Sequence, residues 1–193
     1  MRLFKQFEWD WLPDNLAPLK EEITRDESLW YVDQIRKNII HHVNTDSIVL
    51  RTFDYSLKKE GMLTADIQEM KTYEISKNFP LTMNFLYKVV KELDGELSRA
   101  LIARLRPGEK VLGHVDGPPS SYYNYSDRYH YVIHSKLGSP LYCGNEVVTM
   151  KEGELWWFEN QTYHWADNPS DDYRTHLIFD VYPHSKICRR TLI

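Results

Sequence analysis

The sequence predicts a mainly β fold with flanking helices: a double-stranded β-helix, or jelly roll, with the helices packed on one outer face. Three observations carry this. Before residue 96, apolar residues recur at helical spacing. From Glu96 onward they fall into short runs rich in aromatic and β-branched side chains, separated by Gly, Pro and Asn. These runs number eight, enough for two antiparallel sheets.

In chain order, helical spacing covers Asp14–Thr24 through Leu16, Leu19 and Ile23, and Ser28–His41 through Trp30, Val32, Ile35 and Ile39. A further helical block is expected over Thr64–Ser76. Pro80 opens the next, Leu81–Leu93, which Asp94-Gly95 closes. Its stripe of Leu81, Phe85, Val89 and Leu93 should pack on a sheet. Strands are expected near 99–106, 111–115, 129–135, 140–143, 146–150, 154–158, 163–166 and 174–182. Cys143-Gly144-Asn145-Glu146 is a hairpin turn and Glu152-Gly153 a second tight turn. Two sheets of this kind have the cupin-like architecture. The 193 residues fit one domain, 1–193: a mostly helical part (1–95), a jelly-roll catalytic core (96–183) and a tail (184–193).

Composition excludes several classes of function. Twenty-four basic and 28 acidic residues give a net charge of −4, with no long basic run, so no nucleic-acid partner is expected. No stretch reaches the ~18 apolar residues of a membrane span, and the N-terminus lacks a secretory apolar region. Two cysteines, Cys143 and Cys188, supply neither a disulfide framework nor a cysteine zinc site and fit a cytoplasmic protein.

The chemistry lies in an ordered set: His114-Val115-Asp116, then His164, then Arg174. Residues i and i+2 of a strand share a face, so His114 and Asp116 aim at one point while Val115 turns away. Two imidazoles and a carboxylate are the set that holds ferrous iron on one face and leaves the other open. His164 follows the run Leu155–Phe158 and a polar turn. Arg174 opens a β-segment beyond the turn-rich Asp167–Asp172, and two neighbouring strands would bring it beside His164. Its guanidinium suits a carboxylate, and buried it demands an anion. Singly, each residue has a plainer reading: a surface hydrogen bond, a packed histidine, a salt bridge from Arg174 to Asp171 or Asp172. As an ordered set on strands they point to a metal beside an anchored acid.

These residues bear a resemblance. Leu101–Pro183 resembles the aspartyl/asparaginyl β-hydroxylase family of Fe(II)/2-oxoglutarate-dependent dioxygenases and is similar to bacterial proline hydroxylases. The matching pieces are Leu105–Gly108 followed by His114, then Arg128-Tyr129-His130, Gly153–Phe158, His164, and Arg174 leading into Phe179-Asp180-Val181. Upstream, Ser47–Arg51 looks like an early strand of the same family. The resemblance implies Fe(II) on His114 and His164, and Arg174 on the distal carboxylate of 2-oxoglutarate. It places Arg128 and His130 on the co-substrate and substrate side: His130 toward the co-substrate, Arg128 toward the substrate. Both share a strand face. Asp116 is a departure, because the mammalian-type aspartyl hydroxylases lack a carboxylate ligand. The Tyr-rich segment 117–127 is another; it is a candidate substrate lid or an ordinary rim loop.

The implied reaction consumes O2 and 2-oxoglutarate and hydroxylates a C–H bond of a free amino acid, or of an aspartyl, asparaginyl or prolyl-like residue in a peptide or protein. It yields succinate and CO2. Arg128 and its cationic neighbours favour a carboxylate-bearing substrate. Arg104 and Arg106 add to that charge or lie on the outer sheet face. Trp157, Phe158 and Trp165 are candidates for a dry wall or for core packing. The alternative is a non-redox or non-catalytic metal-binding cupin.

Overall fold

The computed structural model describes residues 2–32, 35–60, 69–116, 122–136 and 140–186. Their strands form two antiparallel sheets. The larger holds β1 (Phe4–Phe7), β2 (Thr45–Phe53), β3 (Met70–Thr72), β4 (Gly95–Leu105), β6 (Asp127–His134), β9 (Leu155–Phe158) and β11 (Arg174–Pro183), in the order β1-β9-β6-β11-β4-β2-β3. The smaller holds β5 (Lys110–His114), β7 (Leu141–Cys143), β8 (Glu146–Val148) and β10 (His164–Asp167), in the order β5-β10-β7-β8. This is the jelly roll that the strand count predicts.

Strand alternation places two main core clusters on opposite faces of the larger sheet, beside a third, small one of Phe53, Tyr122 and Tyr182. On β6, Tyr129, Tyr131 and Ile133 join Leu177, Phe179 and Val181 of β11 beneath the helices. Val132 points the other way, into a smaller cluster between the sheets with Phe4, Leu141, Cys143, Phe158 and Ala166. Helix α2 (Pro80–Glu92) packs on β4 and α1 (Ala17–Thr24) on both α2 and β6, so the helices cover one outer face. No helix among the described residues is long and apolar enough to cross a membrane.

Helix α2 has no N-cap side chain of its own. Glu22 of α1 supplies one from a distance. It accepts from the N–H groups of Leu81 and Thr82 at 2.8 Å each and from Thr82 Oγ1 at 2.7 Å. Buried donors without partners are costly, so Glu22→Ala should lower stability by about 2–3 kcal/mol, measured by urea unfolding. A loss within the noise would mean that α2 frays at little cost.

Four expectations need correction. The stretch 28–41 does not form one helix. It forms 3-10 turns at Glu27–Tyr31, Ile35–Asn38 and Ile40–His42, because Ile39 is extended (φ −98°, ψ 114°) and breaks the last two apart. Residues 64–68 of the block expected over 64–76 lie outside the described residues; the remainder gives β3 and a 3-10 turn at Glu74–Asn78. The α2 stripe holds only in part: Leu81 is 47% exposed, whereas Val89 faces the core with Met83, Leu86 and Val90, and Phe85 and Leu93 pack on it half-buried. Strand β1 and the full length of β2 escaped the periodicity reading.

Asp94 closes the α2 end in the left-handed region at φ 50°, not the glycine after it. Gly95 is required for space. A Cβ there would lie 2.5 Å from Val181 Cγ1 and 2.7 Å from the Tyr182 carbonyl oxygen. The Cys143–Glu146 hairpin forms as expected, joining β7 to β8 with Gly144 at φ 55°.

Candidate metal centre

His114 ends β5, His164 begins β10, and the two are register partners across the smaller sheet. Asp116 lies two residues beyond His114, its N–H donating to the Asn160 carbonyl at 3.0 Å. One ligand atom from each of His114, Asp116 and His164 lies within 4.8 Å of the others. The sequence spacing thus becomes a three-pronged site.

Each imidazole is oriented in the same way. His114 Nδ1 contacts the Leu112 carbonyl at 2.7 Å and His164 Nδ1 the Thr162 carbonyl at 2.9 Å. A carbonyl only accepts, so Nδ1 carries the proton and Nε2 is left with its lone pair. Burial pushes the His114 imidazole down from its ordinary value and His164 down to about 4. Both are therefore neutral near pH 7, as metal binding requires. For the Asp116 carboxyl, burial acts upward. Arg128, His164 and Asn160 outweigh it and hold the group well below the usual carboxylate range. An anionic oxygen beside two neutral imidazoles is a donor set that fits Fe(II).

A small cavity of about 60 Å³ adjoins the triad between the sheets. Its lining includes His114, His164, His130, Arg174, His176 and Phe158. Arg174 is 6% exposed, and its Nε and Nη2 have no hydrogen-bond partner among the described residues. Burial draws its pKa down to about 10. The plainer reading of Arg174 fails here: Asp171 pairs with Lys136, and Asp172 accepts from His134 at 3.0 Å. A buried guanidinium lacking an anion fits a carboxylate-bearing co-substrate.

His130 reaches the same cavity, its Nδ1 3.2 Å from His176 Nδ1. His176 was missed in the sequence. The available signal was its place two residues beyond Arg174 on the same strand face. Phe158 packs edge-on against both His164 and His130. Trp165 also lines the cavity, whereas Trp157 packs into the cluster beneath the helices.

Beyond the triad opens a wider cleft of about 420 Å³. Arg36, Arg99 and Arg128 line it with His41, His42 and Tyr123. Arg128, which the resemblance assigns to the substrate side, lines this cleft with its donors engaged. Nε and Nη2 bond Asp180 at 2.8 and 3.0 Å, and Nη1 bonds Asp116. Arg36 and Arg99 were also missed. Their Nε atoms are buried without a partner among the described residues. Arg36 Nη2 contacts His42 Nδ1 at 3.0 Å, and burial and the nearby Arg99 lower the Arg36 pKa to about 10. Arg104 and Arg106 line neither space. Arg104 pairs with Glu27 and Asp46 between the rings of Trp30 and Tyr173, and Arg106 pairs with Asp46.

Residues 117–121 of the candidate lid lie outside the described residues. The rest is anchored to the core: Tyr122 is buried, its hydroxyl donating to Asp180 at 3.0 Å, and the Tyr123 hydroxyl accepts from Arg99 at 3.2 Å.

The jelly roll that carries this histidine–carboxylate–histidine triad at one end of its small sheet is a fold that known structures share. An oxidoreductase of the 2OG-Fe(II) oxygenase family from Burkholderia pseudomallei superposes at a TM-score of 0.58 with 12% identity, over 94% of this chain and 84% of that one. A Pseudomonas putida prolyl-4-hydroxylase gives 0.53 with 13% identity over 94% and 92%. A viral collagen prolyl hydroxylase from Paramecium bursaria Chlorella virus-1, solved with 2OG, gives 0.52 with 10% identity over 94% and 97%. At these identities the likeness is one of fold. No curated protein matches the chain. The sequence model of the aspartyl/asparaginyl β-hydroxylases matches residues 31–183, and the chain belongs to that family.

Proposed function

We propose that residues 1–193 form a single Fe(II)- and 2-oxoglutarate-dependent dioxygenase domain that hydroxylates a C–H bond of an amino acid or of an amino-acid residue in a peptide or protein. The observation that carries this reading is the buried guanidinium of Arg174, whose Nε and Nη2 have no partner among the described residues, beside the His114–Asp116–His164 triad. A non-redox or non-catalytic metal-binding cupin has no use for such a cation. The metal with its 2-oxo acid supplies the oxidative chemistry, in which O2 is consumed, succinate and CO2 form, and C–H becomes C–OH.

The chain's own residues supply placement and exclusion of water. His114, Asp116 and His164 hold the metal, and Arg174 holds the far carboxylate of 2-oxoglutarate. His130 and His176 complete the co-substrate wall, and Phe158 and Trp165 keep it dry. Arg128 stands between metal and substrate cleft. Arg36 and Arg99 give that cleft its positive character and suit a carboxylate on the substrate. A cytoplasmic setting, without nucleic-acid or membrane partners, belongs to the same reading.

The test is to give anaerobically purified protein Fe(II), 2-oxoglutarate and a pool of amino acids and short peptides, admit O2, and measure succinate and mass gain in the pool. Succinate with a product heavier by one oxygen is expected. No succinate from demonstrably iron-loaded protein would overturn the assignment. Once a substrate is known, Arg99→Gln should raise its KM about 10-fold or more, as losing a buried charge partner does. The 2-oxoglutarate requirement should hold. A rise in the 2-oxoglutarate requirement instead would move Arg99 to the co-substrate.

A further inference from the structure

We infer that Asn160 and Asp180 are positioning residues that make Asp116 a metal ligand through one oxygen only. This rests on the proposed metal role of Asp116. The two carboxylate oxygens of Asp116 are treated differently. Oδ2 accepts from Asn160 Nδ2 at 3.0 Å and from Arg128 Nη1. Oδ1 receives no side-chain hydrogen bond among the described residues and faces His114 Nε2 at 3.8 Å. An oxygen whose lone pairs serve two donors is a poor donor to a metal, so coordination falls to Oδ1.

The arrangement is held from behind. Asn160 grips Asp116 twice, because its carbonyl also accepts the Asp116 N–H at 3.0 Å. Arg128 cannot swing away, since Asp180 takes both Nε and Nη2. Asp180 is 1% exposed and also accepts from the Tyr122 hydroxyl, which lies 2.8 Å from Ser98 Oγ. Ser98, Tyr122, Asp180 and Arg128 thus form a continuous polar chain from β4 to the triad. Its effect is to keep the second Asp116 oxygen off the metal and leave those positions to the reactants.

Mn(II) titration of the purified full chain, with Co(II) absorption as a second probe, tests this. Asp180→Asn and Asn160→Ala should each weaken Mn(II) binding about 10- to 100-fold, the usual effect of removing a group that orients a ligand. The Co(II) bands should also shift as Asp116 turns. Folded variants that bind Mn(II) within about twofold of wild type, with unchanged Co(II) bands, would overturn the inference. If neither variant folds, wild type decides. The Mn(II)-induced infrared difference spectrum of protein labelled with ¹³C-aspartate should show the widely split carboxylate stretches of one-oxygen coordination. Narrowly split, chelating stretches would overturn it. Wild type that binds no Mn(II) would instead remove the metal role of Asp116 on which the inference stands.

Discussion

Asp116→Ala is expected to remove metal binding and turnover together. The variant loses the one anionic donor of the triad, and Arg128 and Asn160 lose the acceptor they share. Arg128 keeps Asp180, so the fold should survive while the site fails. The expected loss exceeds the 10- to 100-fold typical of disturbed supporting groups, so about 100-fold or more in metal affinity and in succinate formation. The measurements are Mn(II) titration and single-turnover succinate yield, with thermal unfolding as the control for folding. Undiminished activity would mean that two histidines suffice and that Asp116 is only a partner for Arg128.

Replacing Arg174 should have effects of opposite sign on binding and on stability. Its guanidinium is buried and, among the described residues, unpaired at Nε and Nη2, an arrangement that costs folding free energy. Arg174→Met fills similar volume without charge. The co-substrate-free protein should therefore melt no lower than wild type, and higher if repacking is good. The 2-oxoglutarate requirement should rise about 30-fold or more, since truncating one partner of a buried charge pair costs about 2–5 kcal/mol. Calorimetric titration with 2-oxoglutarate in the presence of Mn(II), under anaerobic conditions, reads the first effect and a melting curve the second. A variant that melts far lower and binds 2-oxoglutarate as before would make Arg174 a structural residue.

The triad and Arg174 were legible because strand alternation is strictly local. His114 and Asp116 needed only the two-residue period, and the strands bearing His164 and Arg174 announced themselves by composition. Arg99 was missed through parity. It shares the inward face of β4 with Leu101, whereas Arg104, one of the two arginines the sequence brought forward, lies on the opposite face beneath Trp30. Arg36 and His42 come from a segment whose apolar spacing suggests a helix and whose extended Ile39 breaks it. A helix there would aim the side chains elsewhere. The engagement of Arg128 could not be seen, because its main partner, Asp180, is 52 residues away. Pairing across the sheet, not local pattern, decides that contact.

Gly113 sits one residue before His114. A Cβ on it would lie 2.0 Å from the hydroxyl oxygen of Tyr163, the residue just before His164. The ring of Tyr163 lies across the bare backbone and braces the two histidine-bearing strands from outside the cavity. Position 113 is therefore a remote tuning point. Gly113→Ala touches neither ligand, yet the half-exposed Tyr163 ring must swing aside to admit it, and the two histidine-bearing strands lose that brace. A laboratory wishing to fit the scaffold to a metal of different radius could begin there and leave every coordinating side chain unaltered.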